Sequence, residues 1–156
     1  WTSQELTDNG TGDLSSEIPG YPDETVIEFY IRSSNGIAER FWPGPLTLVL
    51  AGPREAVSHL DDGRGTLAIR VPDQPLTLAL IQRFGGGLAL TSANVHGERE
   101  AHSAEEVTAI FGDGVPCVLD GGPSALGTPS TIVEVLPGQE PRILREGSLA
   151  RETLGI

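Results

Sequence analysis

A chain of 156 residues is long enough to bury the core of one domain. Its net charge of −12, with arginines as the only basic side chains and no lysine, excludes a broad basic surface for gripping nucleic acid. A single cysteine, Cys117, excludes an internal disulfide framework and a multi-cysteine zinc site.

Cys117 lies among Val115, Pro116, Val118 and Leu119, a setting that predicts a buried small hydrophobe rather than a nucleophile. No apolar run is long enough to span a bilayer, and no charged segment precedes an apolar one as in a secretory leader. A cytoplasmic protein with no membrane span is therefore expected. The lack of methionine points to a fragment, a processed form or an edited chain.

Residues 1–20 are rich in Thr, Ser, Asp and Gly without periodicity, and read as an irregular N-terminal segment. Residues 21–156 read as one domain. Thr25 to Ile31 is β-branched and aromatic, which predicts a strand. Ser33 or Ser34 is a candidate cap for a short helix through Ile37, Ala38, Arg40 and Phe41, ended by Pro43-Gly44-Pro45.

Leu46 to Leu50 predicts a strand buried on both faces. Pro53 to Leu60 reads as a short helix or turn, and Asp61-Asp62 as part of a solvated loop. Residues 66–71 predict a strand stopped by Pro72. Leu76, Ala79, Leu80 and Phe84 recur at helical spacing, and Gly85 is a natural stop.

Leu88 to Thr91 reads as a strand, and Ser103 with Glu106 has capping-box spacing for a helix ended by Gly112. Residues 116–119 and 130–135 predict two further strands. Pro137-Gly138 makes a turn into a paired strand at Arg142 to Arg145, and Ser148 is the expected cap of a last short helix. Strands and helices mix without a strict βαβ repeat, so the fold class is α/β with a twisted, mixed sheet and flanking helices.

Four apolar segments carry Ser, Thr or Arg at their edges, which suggests one anion-binding cleft lined from several strands. Ser92 and Asn94, two apart in an extended stretch, point the same way. Together they suit phosphate oxygens or a metal-bound water; the alternative is an ordinary turn. Arg70 ends an apolar run, where its fork suits a carboxylate or phosphate unless an acid pairs with it structurally. Thr66, four residues earlier, shares the face of Arg70 in a regular strand.

Arg145 has the same logic, beside Gly147, where backbone can approach a ligand closely. Ser130 and Thr131 either line the cleft or simply begin a strand. His59, His96 and His102 lack metal-ligand spacing and read as loop residues; Asp120 before Gly121-Gly122 reads as a turn residue. There is no lysine-bearing phosphate loop, dinucleotide fingerprint or nucleophile elbow.

Phe41-Trp42-Pro43-Gly44-Pro45-Leu46-Thr47-Leu48-Val49-Leu50, the Arg70 strand, Thr91-Ser92-Ala93-Asn94 with Gly97, Pro129-Ser130-Thr131-Ile132-Val133 and Arg142 to Gly147 occur together and in this order. Over residues 36–150 the chain thereby resembles the YrdC-type threonylcarbamoyl-AMP synthase family. The resemblance implies a YrdC/RibB-like domain around a concave cleft. It implies synthesis of threonylcarbamoyl-adenylate from L-threonine, bicarbonate and ATP with Mg2+, releasing pyrophosphate. Other proteins then transfer the product in the t6A modification of tRNA, with weak or no direct tRNA binding expected here.

Carried over by motif, Thr66, Ser92, Asn94 and Arg145 would contact ATP, and Thr25, Arg70 and Ser130 would hold threonine. No catalytic side chain and no protein metal ligand is implied. Tyr21-Pro22-Asp23-Glu24-Thr25-Val26 resembles the family's early strand, with Asp23 in place of a threonine and Ile27 in place of a tyrosine. The family's Lys-x-Arg motif and several tens of residues between that strand and Trp42 have no counterpart, so weakened ATP binding or turnover is expected. Two alternatives stand beside the synthase: a non-catalytic YrdC-like binding domain, and a carbamoyltransferase-type domain using carbamoyl phosphate.

Overall fold

A computed structural model describes residues 7–8, 14–15, 36–51, 64–124 and 127–156. The expected strand at 25–31, with Thr25, and the segment 53–60, with His59, lie outside the described residues, as do Ser33, Ser34, Asp61 and Asp62. Cα proximity divides the chain into two units, Trp1–Gly87 with Pro129–Ile156, and Leu88–Thr128.

The first unit holds a four-stranded mixed sheet: β3 (Leu46–Ala51), β4 (Thr66–Ile69), β5 (Thr131–Val135) and β6 (Arg142–Arg145). The order across the sheet is β4-β3-β5-β6. β3 and β5 run parallel, and the two outer pairs run antiparallel. The short pair β1 (Thr7–Asp8) and β2 (Leu14–Ser15) forms a separate antiparallel ladder inside the segment expected to be irregular.

Alternation along the central strands decides which face is covered. Leu46, Leu48, Val133 and Thr131 are at most 1% exposed. The register places Leu46 opposite Thr131 and Leu48 opposite Val133, so these four share one face. Helix α1 (Ile37–Phe41) and the C-terminal helix at Arg151–Leu154 supply Ile37, Ala38 and Leu154 to the same cluster. The opposite face carries Thr47 and Val49, both half-buried, so β3 is fully buried on one face only rather than on both.

Local signals account for most helix ends. Helix α2 (Pro75–Phe84) starts with proline at its first position, and the Gln74 side chain accepts from the Thr77 N–H at 2.7 Å. Gly85 ends it with φ 81°, a conformation glycine adopts without steric cost. Helix α3 (Ala104–Phe111) begins at Ser103, whose hydroxyl accepts from Glu106 N–H at 3.2 Å. Glu106 in turn accepts from the His102 N–H at 2.8 Å, one residue earlier than in the usual reciprocal box.

Two caps differ from expectation. Gly36, with φ 62°, precedes α1 and no side chain caps it. Ser148 does not cap the last helix, α4 (Arg151–Leu154), which follows Ala150; its N–H and hydroxyl both donate to the Pro129 carbonyl, at 3.0 and 3.2 Å.

In the second unit, Leu88–Thr91 and residues 116–119 are not strands. Apolar composition favours a strand only where a neighbouring ladder takes its N–H and C=O groups, and among the described residues of 88–128 there is no strand. Leu90 and Leu119 are 71% and 56% exposed. Cys117 is exposed as well, contrary to the buried position expected; no described residue of its own unit is buried. No described helix is long and apolar enough to cross a membrane.

Candidate functional site

The face of the sheet away from the core carries the polar groups, and pairing explains why. Thr131 points to the core opposite Leu46, so Ser130 and Thr47 point the other way. Their hydroxyls meet: Thr47 Oγ1 lies 2.7 Å from Ser130 Oγ. Ser130 is 8% exposed, so a polar partner there offsets its desolvation.

Arg145 reaches this face through a β-bulge. Val133 pairs with Ile143, but Ile132 pairs with Arg145, leaving Leu144 as the extra residue. Were Leu144 paired with Ile132 in an unbroken ladder, simple alternation would set Arg145 opposite Thr131 on the core face. The bulge turns it outward, where Nη2 donates to the Ser130 carbonyl at 2.8 Å and to Ser130 Oγ at 3.3 Å. The Nε group adds a longer bond to the same carbonyl at 3.3 Å.

Arg70 lies one residue past β4, one step beyond the Leu48–Ile69 pair and therefore beside Thr47 in register. Its Nε donates to the Gly44 carbonyl at 2.9 Å, and Gly44 N–H donates to the Val71 carbonyl at 2.8 Å. A Cβ at Gly44 would collide with the Phe41 carbonyl oxygen, so only glycine allows this tight turn. The turn is held from its other side by Trp42, whose Nε1 donates to the Leu46 carbonyl at 2.8 Å.

Among the described residues no carboxylate pairs with Arg70 or Arg145. Both guanidiniums are anchored by backbone carbonyls, which orient them without cancelling their charge. Although much of Arg70 is open to solvent, partial desolvation holds its pKa below the ordinary arginine value. An arginine remains charged under such a shift. In a chain of net charge −12, two arginines without acid partners among the described residues, flanking a hydroxyl pair, are the candidate site for an anion.

The loop after β6 supports this row. Thr131, fully buried, donates through Oγ1 to the Leu149 carbonyl at 2.8 Å and accepts from Leu149 N–H at 2.9 Å. Gly147 lies against the Pro129 and Ser130 backbone, and a Cβ there would collide with the Pro129 carbonyl oxygen. Its small size therefore serves a backbone-to-backbone contact with Pro129 and Ser130.

Thr66 shares the open face with Arg70, but it pairs with Ala51 at the other end of β4. Four residues of strand separate the two, roughly 13 Å. Thr25 lies outside the described residues.

Ser92 and Asn94 belong to the 88–128 unit. Ser92 is exposed. The Asn94 side-chain N–H2 donates to the carbonyls of Val95 and Glu98, at 2.9 and 3.0 Å, closing its own loop. Glu98 N–H donates to the Val95 carbonyl across a turn with Gly97 at φ 84°. Ala101 N–H donates to the Ala93 carbonyl at 2.9 Å and closes the loop base. With both amide protons engaged, the Asn94 carboxamide oxygen remains as an acceptor.

Asp120 takes the turn role, its Oδ1 accepting from Gly122 N–H at 2.9 Å. Among the described residues no three His, Cys, Asp or Glu side chains gather in a way that would hold a metal ion. Thr47 was not singled out in the sequence. The available signal was its place between the apolar Leu46 and Leu48, the alternation that turns a hydroxyl away from a core.

Comparison with known proteins agrees with this architecture. The Sua5/YciO/YrdC family model, described as telomere recombination, matches residues 24–147. A threonylcarbamoyl-AMP synthase of Bacillus subtilis is 38% identical over 119 residues, covering 76% of this chain and 34% of the relative. The Serratia proteamaculans protein of the same name is 37% identical over 128 residues, covering 81% of this chain and 65% of the relative.

Among solved structures, the crystal structure of Pyrococcus abyssi Sua5 complexed with L-threonine superposes with a TM-score of 0.65 at 36% identity. It covers 76% of this chain and 35% of that one. E. coli YciO, at 24% identity, has the same fold with a TM-score of 0.60, covering 76% of this chain and 57% of its own. The chain thus spans about a third of the length of the Bacillus and Pyrococcus relatives. The shared sheet, the ordered motifs and a family match across most of the sequence place this chain in the Sua5/YciO/YrdC family.

Proposed function

We propose that this domain binds L-threonine and ATP and forms threonylcarbamoyl-adenylate from them and bicarbonate, with release of pyrophosphate. One observation carries the reading: a row of Arg70, Thr47, Ser130 and Arg145 at one end of the sheet, its two guanidiniums free of acid partners among the described residues. The names of the relatives, and the L-threonine bound to the Pyrococcus protein, support the same substrates.

In this reading Arg70 holds the threonine carboxylate, and Ser130 lies in the threonine site with Thr25. Arg145, Thr66, Ser92 and Asn94 serve ATP. Bicarbonate takes up a proton and loses water to give carbon dioxide, to which the threonine amine adds and loses a proton, giving a carbamate. A carbamate oxygen then attacks the α-phosphorus, and pyrophosphate leaves with the electrons of the broken P–O bond. Two anions must meet, so positioning and charge neutralisation supply most of the acceleration and no nucleophilic side chain is required.

Magnesium belongs to this reading as the companion of ATP, since it binds mainly through substrate phosphates and retained waters. The described residues offer it no carboxylate cage, so the protein's share rests on its arginines and hydroxyls. The product would pass to t6A transfer proteins, and the net charge of −12 weighs against direct tRNA binding.

Pyrophosphate release that requires ATP, threonine and bicarbonate together tests the proposal. Absence of that dependence at saturating substrates overturns it, and activity with carbamoyl phosphate in place of threonine points to carbamoyl transfer instead. The absence of lysine favours a second reading, in which the domain binds these ligands without turnover. Calorimetric binding of threonine and ATP without pyrophosphate release would select it.

A further inference from the structure

The hydroxyl pair on the open face has a direction, and that direction restricts what Ser130 can recognise. A serine hydroxyl carries one proton and two acceptor positions, and arginine only donates. Arg145 Nη2, 3.3 Å away, therefore occupies one acceptor position of Ser130 Oγ. Thr47 Oγ1, 2.7 Å away, has Ser130 as its one hydrogen-bond partner among the described residues.

If Ser130 donated to Thr47, the Thr47 proton would have no acceptor among the described residues, on a half-buried side chain. With Thr47 donating, its proton is satisfied and the second acceptor position of Ser130 is filled. The Ser130 proton must then point away from both neighbours. Thr47 suits this task because its branched Cβ restricts χ1 and holds the hydroxyl in place.

We propose that Thr47 is a positioning residue that makes Ser130 an obligate donor, so that the ligand group seated at Ser130 is an acceptor oxygen, a carboxylate, and never an ammonium. This deepens the amino-acid-site reading above and rests on it. The consequence for the chemistry is direct. The carboxylate end of the amino acid is drawn to the Arg70–Ser130 row, and its amine finds no acceptor at Ser130 and stays available for carboxylation.

Calorimetric titration of the full chain with L-threonine and with L-threoninol, which replaces the carboxylate by an alcohol, tests the assignment. The variants are Thr47→Val, Thr47→Ser, Ser130→Ala and the Thr47→Val/Ser130→Ala double substitution, each checked for an unchanged melting transition. Thr47→Val keeps the side-chain shape and removes the proton, and threonine affinity is expected to fall about tenfold. Thr47→Ser restores it. Threoninol, which both donates and accepts, is expected to lose little, so discrimination between the two ligands shrinks.

In the Ser130→Ala background, Thr47→Val is expected to have no further effect, because Thr47 acts only through the Ser130 hydroxyl. An equal loss in both backgrounds, or unchanged threonine affinity in Thr47→Val, overturns the assignment alone. A wild-type chain that binds no threonine overturns the amino-acid-site reading and the assignment with it.

Discussion

The sheet unit and the 88–128 unit hold their shapes by different physics. Among the described residues all six buried core hydrophobics, Ile37, Ala38, Leu46, Leu48, Val133 and Leu154, belong to the first. No described residue of 88–128 is buried. Its order is written in side-chain-to-backbone hydrogen bonds: Asn94 across its loop, Glu106 back to His102, Asp120 onto Gly122. Burial fixes strand register over long sequence separations, while such polar bonds fix only a few neighbouring residues. Candidate phosphate-contacting residues occur in both settings, Arg145 in the first and Ser92 in the second.

The contrast can be broken most strongly in the core. Leu48 is 1% exposed between β4 and β5, so Leu48→Ala is expected to cost about 2–5 kcal/mol in chemical denaturation. A cost below 1 kcal/mol would mean that burial is not what holds the sheet.

Arg145→Gln tests the outward guanidinium. Its charge is lost while the bulge and the ladder stay, and ATP affinity is expected to fall roughly 10–100-fold, the scale of one charge-assisted bond. Unchanged ATP affinity in a folded Arg145→Gln variant would show that the outward turn of Arg145 has no role in nucleotide binding.

Asn94→Ala sharpens the comparison from the other side. Two exposed bonds to backbone carbonyls are lost, so opening of residues 94–98 should become easier by about 1 kcal/mol, read by amide exchange. The main unfolding transition of the sheet should stay in place; a shift as large as that of Leu48→Ala would contradict the division.

The smallest effect is one of pH. The Arg99 hydrogen bond, and then the His102 N–H, hold the Glu106 carboxyl below its ordinary value. An acid depressed in the folded state contributes stability at pH above its unfolded value, and that contribution is lost as pH falls through the folded one. Side-chain NMR should show Glu106 titrating below unpaired glutamates, and Arg99→Gln should move it up. An unmoved titration would remove Arg99 as the cause.

Much of this could be read from neighbouring residues alone. Helical spacing from Leu76 to Phe84 with Gly85 behind it located α2, and Ser103 with Glu106 located α3. Pro137-Gly138 marked the turn between β5 and β6. Residues 88–91 and 116–119 have the composition of strands without forming them, because composition says nothing about whether a partner ladder is present. The same reason put Cys117 inside when it lies outside.

What the chain determined by itself are features set within about one turn of backbone: caps, stops, alternation, and arginines and hydroxyls at the ends of apolar runs. Which face those groups would occupy was decided in three dimensions. Thr47 and Ser130 are 83 residues apart in sequence, and only the parallel pairing of β3 with β5 brings their hydroxyls together. Arg145 joins them because one unpaired residue in β6 reverses its alternation. Direction across a sheet depends on register with distant strands, and register is a property of the packed core rather than of any local segment.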